Sequence, residues 1–214
     1  REPVILSWFS VDQLMSNVTR ELLEALTLAI LVFIIMQTSI QNFKVEGSSM
    51  DPTLTHGQYL IVNKLAYAKV DPQRLSRIVP IWKQSKSASR FATDPPKRGD
   101  VVVFEYPLNH KRDFVKRVIG VPGDTIIIVS GSVFLNGKVL NEDYIKSITP
   151  QGRLWFGDGI KPDITILRDR EYFVLGDNRM GSNDSRNWGP VHEDNIHGKV
   201  WAIYWPFDRL GILK

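Results

Sequence analysis

Hydrophobic and polar positions follow two different rhythms along this chain, and the change falls near Lys44. From Ala25 to Phe43 no residue carries a charge, and Glu24 and Lys44 bracket the run. At a helical rise of ~1.5 Å per residue these 19 positions span roughly 28 Å, close to the ~30 Å hydrocarbon thickness of a bilayer. Leu26 to Met36 is strongly apolar, while Gln37, Thr38 and Ser39 weaken the far end. The pattern predicts one membrane-spanning helix over 25–43 behind an N-terminal flank, 1–24. A cleavable leader fits less well, because the preceding segment is not basic and the run starts late. Arg1 and Arg20 stand against Glu2, Asp12, Glu21 and Glu24 before the run, and Lys44, Lys64 and Lys69 follow it. These charges choose no orientation.

Beyond Lys44 the rhythm is that of strands. Tyr59-Leu60-Ile61-Val62, Val101-Val102-Val103-Phe104, Thr125-Ile126-Ile127-Ile128-Val129 and Tyr172-Phe173-Val174-Leu175 are short β-branched or aromatic runs. Gly99-Asp100, Pro122-Gly123-Asp124 and Gly176-Asp177 punctuate them as turns. Asn136-Gly137, between Val133-Phe134-Leu135 and Lys138-Val139-Leu140, is a hairpin signal of the type I′ kind. No segment after Phe43 has the period of a long amphipathic helix. The predicted fold is mainly β: an antiparallel sheet or coiled barrel over 44–214, preceded by one N-terminal transmembrane helix. Two stretches read as insertions, a Ser-, Lys- and Pro-rich surface loop near 84–97 and a mixed polar stretch near 143–170 around Trp155-Phe156-Gly157-Asp158.

Composition narrows the chemistry. The 214 residues suffice for one catalytic-sized domain, and 43% hydrophobic against 23% charged residues allows a real core. A net charge of +4 favours anionic lipid, and no dense basic helix points to nucleic acid. The absence of cysteine excludes disulfides, thiolate zinc sites and a cysteine nucleophile. His56, His110, His192 and His197 are the only histidines, and none pair at metal-ligand spacing, so neither a metal nor another cofactor is expected.

The candidate chemistry starts at Gly47-Ser48-Ser49-Met50-Asp51-Pro52-Thr53-Leu54, where Gly47 frees the backbone and Pro52 stiffens it around a serine. A serine hydroxyl needs a base. His56 and His110 lie in polar loop sequence, and lysine can replace histidine only when burial brings its pKa down toward neutrality. Such a shift of two to three units is worth roughly 3–4 kcal/mol, so the lysine needs apolar walls. Lys116 has them in Phe114, Val115, Val118, Ile119 and Val121. Strand alternation puts Phe114, Lys116 and Val118 on one face, and Val115 and Arg117 on the other. On pattern alone, however, a strand lysine is more commonly a solvated edge residue. Downstream, Asp177, Arg179, Asp184 and Arg186 can form a salt-bridge network, and Ser182 can hydrogen-bond an amine; a polar surface loop has the same composition. Trp188, Trp201, Tyr204, Trp205 and Phe207 read first as core, with an aromatic rim against the membrane as the alternative. No Ser-x-x-Lys tetrapeptide, Gly-x-Ser-x-Gly elbow or phosphate-cradling glycine loop occurs.

At these residues the chain resembles the type I signal peptidases, also called leader peptidases, in their compact single-anchor form. Ser49 to Leu54 resembles the nucleophile box, Arg98-Gly99-Asp100-Val101-Val102-Val103-Phe104 the next strand box, Lys116 to Asp124 the lysine box, and Gly176-Asp177-Asn178-Arg179 through Arg186 the final box. The order is the family's. The resemblance implies that Ser49 attacks the scissile carbonyl, Lys116 is the general base and Ser182 orients its amine. It further implies a supporting ion pair of Asp177 and Arg117, with Asp184 and Arg186 as structural members, and the Ser49 N–H as oxyanion donor. The sequence departs at Gly47, where some members carry a serine as second donor. A backbone N–H, a water or the Ser48 hydroxyl must then substitute.

The same resemblance implies small S1 and S3 pockets closed by Phe43, Val45, Met50, Leu54, Phe114 and Val115, cleavage after Ala-x-Ala, and an extended substrate that adds as a strand. Its partners would be preprotein signal peptides, the lipid bilayer and the export machinery. The expected location is single-pass in a bacterial plasma or thylakoid membrane, with the catalytic domain on the translocated face. Two rivals are weaker. A self-cleaving repressor-type peptidase would carry a DNA-binding helical domain where this chain has its apolar run. An inactive anchored β-domain serving as a binding module would not need Ser49, Lys116 and Ser182 together.

Overall fold

The computed structural model describes residues 8–70, 90–91, 94–150 and 164–213. Two units meet between Ser39 and Ile40. The first is a single helix, α1, Trp8–Ser39, with no proline or glycine to interrupt it. Between Val18 and Ser39 its mean hydropathy reaches 2.0, and its apolar side chains, such as Leu26, Phe33 and Ile35, are exposed all round. Its late hydroxyls find partners within the helix: Thr38 Oγ1 donates to the Ile34 carbonyl at 2.9 Å and Ser39 Oγ to the Ile35 carbonyl at 2.5 Å. The expected span of 25–43 is corrected at its far end. Ile40 to Phe43 lie in a strand, because from Ile40 on the side chains alternate and the backbone pairs with a neighbouring strand.

The second unit is antiparallel throughout. Its strands are β1 Ile40–Lys44, β2 Tyr59–Asn63, β3 Lys69–Val70, β4 Arg90–Phe91, β5 Val101–Glu105, β6 Asp113–Gly120 and β7 Thr125–Val129. They continue as β8 Ser132–Leu135, β9 Lys138–Val139, β10 Ile164–Ile166, β11 Glu171–Leu175, β12 Val191–His192, β13 Ile196–Trp205 and β14 Gly211–Ile212. The main sheet runs β1-β2-β13-β5-β6-β11-β12, with β14 paired to β13; a second runs β10-β7-β8-β9, and β3 pairs with β4. Every predicted strand is present. The β8–β9 hairpin turns at Asn136 and Gly137, φ 51° and 78°, as a type I′ turn requires. Of the two expected insertions, 84–89, 92–93 and 151–163, including Trp155 to Asp158, lie outside the described residues.

β5 explains why Val101 to Phe104 reads as an unbroken apolar run. Both of its faces are covered. Val101 and Val103 enter one core with Val45, Met50, Leu54, Leu60 and Val115, while Val102 and Phe104 enter another with Val118, Val174, Trp188 and Ile196. A third core joins Ile126, Ile128 and Val133 to Leu167, Phe173 and Leu175. Among the described residues the main sheet is open at β1 and along the first half of β6, besides its terminal strands β12 and β14. β1 pairs only with β2, and β6 pairs with β5 from Asp113 but meets β11 only from Arg117 onward.

Candidate active site

Ser49 lies in the loop between β1 and β2, where Gly47 takes φ +94° and starts a tight turn. Asn178 clamps this turn from the far end of the chain. Its N–H donates to the Ser49 carbonyl at 3.0 Å and its Nδ2 to the Ser48 carbonyl at 3.1 Å. A trans peptide puts the Ser48 carbonyl and the Ser49 N–H on opposite edges of one plane, so holding the first aims the second. Among the described residues no protein acceptor meets the Ser49 N–H. The Gly47 N–H is occupied by Nδ1 of His56 at 3.0 Å.

β6 supplies the amine. Lys116 stands opposite Val102 and shares its face with Phe114, whose ring centre is 5.3 Å from Nζ. Phe114 is held in turn by Tyr106, stacked at 4.5 Å. Nζ lies 2.7 Å from Ser49 Oγ and donates to the Val115 carbonyl at 2.8 Å. Lys116 is only 4% exposed. Burial pushes its pKa down to about 8, against the opposing pull of the Asp184 and Asp177 carboxylates. An amine that titrates there can take a hydroxyl proton.

The final box forms the back of the site through separate pairs, not one network. Arg117 donates from Nε to Asp177 Oδ1 at 2.9 Å and from Nη2 to Oδ2 at 2.7 Å, a fork on a fully buried carboxylate. Thr53 Oγ1 adds a bond to Asp177 Oδ2 at 2.5 Å and ties the Ser49 loop to this pair. Arg186 grips Asp184 in the same way, at 2.8 Å to each oxygen, and Asp184 also accepts the Gly176 N–H at 3.1 Å. Arg179 leaves the expected network. It pairs with Glu142 and bonds Thr149 Oγ1 and the Gly176 carbonyl, while Tyr144 lays its ring 4.1 Å from the Arg117 guanidinium.

The expected hydrogen bond from Ser182 to the Lys116 amine is not formed. Ser182 Oγ is buried without a partner, because the amine is directed at Ser49 Oγ and the Val115 carbonyl. Ser182 is nevertheless in the site. A Cβ built on Gly176 would collide with Ser182 Oγ and with the Ser49 carbonyl, so the three chain segments touch across a glycine.

A cleft of about 580 Å³ opens in front of the serine and the amine. Phe43, Phe114 and Val115 line it, with Ser48, Lys116 and Gly181. Val45, Met50 and Leu54, expected in the pocket walls, are 2%, 0% and 0% exposed and pack beneath the site in the core of Leu60 and Val101. Sequence reasoning missed Asn178 as a clamp, Thr53, His56, Glu142 and Tyr144. The capping signal at Asp184, which accepts the Arg186 N–H at the start of the short helix α2, Ser185–Trp188, was available in Asn183-Asp184-Ser185.

The family model described as signal peptidase, peptidase S26, matches residues 19–205. Signal peptidase I of Bacillus caldolyticus is 38% identical over 174 residues, which cover 78% of this chain and 81% of that protein. The probable signal peptidase I-2 of Synechocystis is 31% identical over 203 residues, 92% of this chain and 78% of that protein. A solved signal peptidase I from Enterococcus faecalis is similar at 30% identity and a TM-score of 0.40, over 50% of this chain and 97% of that one.

Proposed function

We propose that this chain, which belongs to the signal peptidase family, peptidase S26, removes signal peptides from preproteins with Ser49 as nucleophile and Lys116 as general base. One observation carries the reading: a buried amine of pKa about 8 stands 2.7 Å from the hydroxyl of Ser49. In the neutral state the hydroxyl donates to Nζ. Ser49 Oγ attacks the scissile carbonyl carbon as its proton passes to Lys116, and the Ser49 N–H receives the oxyanion. With the Gly47 N–H bound to His56, the Ser48 hydroxyl at the cleft wall is the second donor. Collapse expels the amine of the mature protein, which takes the proton from the Lys116 ammonium. Neutral Lys116 then draws a proton from water as its oxygen attacks the Ser49 ester; the acyl carbon–Oγ bond breaks, Ser49 Oγ takes the proton back from Lys116, and the signal peptide leaves with a free carboxylate.

During acylation Ser49 Oγ becomes an ester oxygen, a poor acceptor, just as Nζ acquires its third N–H. The unpartnered Ser182 hydroxyl is the group available to receive it. Asp177 with Arg117, and Asp184 with Arg186, hold the frame.

The cleft lies between two open stretches of the main sheet, Phe43 and Lys44 of β1 on one side and Asp113 to Lys116 of β6 on the other. An extended peptide between them would meet unpaired backbone groups on each. Phe43, Phe114 and Val115 line the cleft with apolar surface, and the preference for small side chains of the Ala-x-Ala kind is assigned to these walls. The apolar α1 is the anchor, and the catalytic unit works on the translocated side, where preproteins emerge. The test is cleavage of a preprotein by the full chain in detergent or lipid. Ser49→Ala and Lys116→Ala should each abolish processing while the β unit stays folded by circular dichroism; normal cleavage by either would sink the mechanism.

A further inference from the structure

The loop that carries Ser49, 46–57, is closed at its base by two backbone bonds: Val45 N–H to the Gln58 carbonyl at 2.8 Å, and Gly57 N–H to the Val45 carbonyl at 2.9 Å. Past this point the ladder ends, because Gly47 at φ +94° turns the chain off the strand path. The next rung is made by a side chain. The Gly47 N–H donates to Nδ1 of His56, on the opposite arm of the loop, at 3.0 Å. An imidazole that accepts at Nδ1 is neutral and holds its proton on Nε2. From the other direction Asn178 pins the Ser48 and Ser49 carbonyls. The two anchors are on adjacent residues, the Gly47 N–H and the Ser48 carbonyl.

We infer that His56 is a positioning residue for the hydrolysis. By holding the Gly47 N–H it fixes the near end of the turn, and with Asn178 at the far end it sets the Ser48–Ser49 peptide plane. The Ser49 N–H lies on the edge of that plane, so His56 aims the oxyanion donor without touching substrate. The inference rests on Ser49 being the nucleophile. A donor matched to the oxyanion acts on the transition state more than on bound substrate, which puts the effect of His56 on kcat and not on KM. It also assigns the Gly47 N–H to the frame and not to the oxyanion.

The test measures kcat and KM of the full chain in detergent on a peptide spanning an Ala-x-Ala cleavage site, for the wild type, His56→Ala, His56→Asn and Ser49→Ala. His56→Ala should lower kcat about fivefold, equivalent to about 1 kcal/mol, and leave KM within about twofold. Asparagine presents Oδ1 where histidine presents Nδ1, so His56→Asn should return kcat to within about twofold of the wild type. Wild-type or higher kcat in His56→Ala overturns the inference, since a freed Gly47 N–H would then serve as well or better. A His56→Asn variant as slow as His56→Ala overturns it too. Cleavage by Ser49→Ala would instead overturn the assignment of the nucleophile, a separate failure.

Discussion

Raising the pH from 7 to 9 should accelerate cleavage by an amount that reports how dry the Lys116 amine is. On the proposed mechanism the active form is the neutral amine, so the rate follows the deprotonated fraction and rises with pH. At a pKa of about 8, roughly one-tenth of the amine is neutral at pH 7 and roughly nine-tenths at pH 9. kcat/KM should therefore increase about tenfold over that interval, level off above it, and fall about tenfold per unit below pH 7. An ordinary lysine, at ~10.4, would give about a hundredfold rise over the same interval and go on climbing past pH 10. The difference, from 10.5 to about 8, corresponds to about 3 kcal/mol of net desolvation. Initial rates on a quenched fluorescent signal-peptide substrate, held well below KM in detergent micelles, give kcat/KM for the free enzyme directly. A flat profile from pH 6 to 9 would remove Lys116 as the base. A climb with no plateau by pH 10 would mean that water reaches the amine, and the burial argument would fail.

Two further substitutions probe the back of the site. Gly176→Ala should reduce kcat/KM by about a hundredfold or more, because its methyl would displace the Ser49 carbonyl as well as Ser182, and ångström-scale misplacement has that cost; wild-type rates would show that the turn yields freely. Ser182→Ala removes a buried hydroxyl without a partner and should stabilise the fold by about 1 kcal/mol while lowering kcat at least about tenfold. Thermal unfolding and steady-state kinetics read the two effects separately, and a stabilised variant with unchanged kcat would mean that the hydroxyl is merely tolerated.

What could be read from the chain was what local pattern encodes. Tyr59 to Val62, Val101 to Phe104 and the Asn136-Gly137 turn carry their structure in residue types and period, and all three appear where expected. The faces of β6 also followed from period two: Lys116 with Phe114 and Val118, Val115 on the opposite side. The resemblance supplied Arg117 as the partner of Asp177, and the pair is formed; the partner of Arg179 was not legible, because nothing local announces a contact across the chain. Glu142 meets Arg179 from 37 residues away, one position before a stretch that reads as an insertion. The helix boundary was missed for a related reason. Ile40-Gln41-Asn42-Phe43 carries no charge to end an apolar run, and only pairing with β2 makes it a strand. His56 is an exposed loop residue, and its bond to the Gly47 N–H was not legible because sequence does not display a backbone donor.

The placement of the two cations on β6 bears on the proposed role of the lysine as base. Consecutive residues of a strand face opposite ways, so Lys116 and Arg117 are neighbours in sequence and divided in space. Arg117 goes to the side of Thr53 and Asp177, and Lys116 to the side of Phe114. The carboxylates whose fields hold the Lys116 pKa up are Asp184 and Asp177. Each is gripped by an arginine fork, from Arg186 and Arg117 respectively. A bare buried carboxylate near the amine would stabilise the ammonium and cancel the effect of burial. With both negative charges answered by guanidinium, desolvation remains the largest cause, and the pKa falls to about 8. On this account the ion pairs of the final box do more than hold the loop in place. They keep the lysine's surroundings electrically quiet enough for burial to set its pKa.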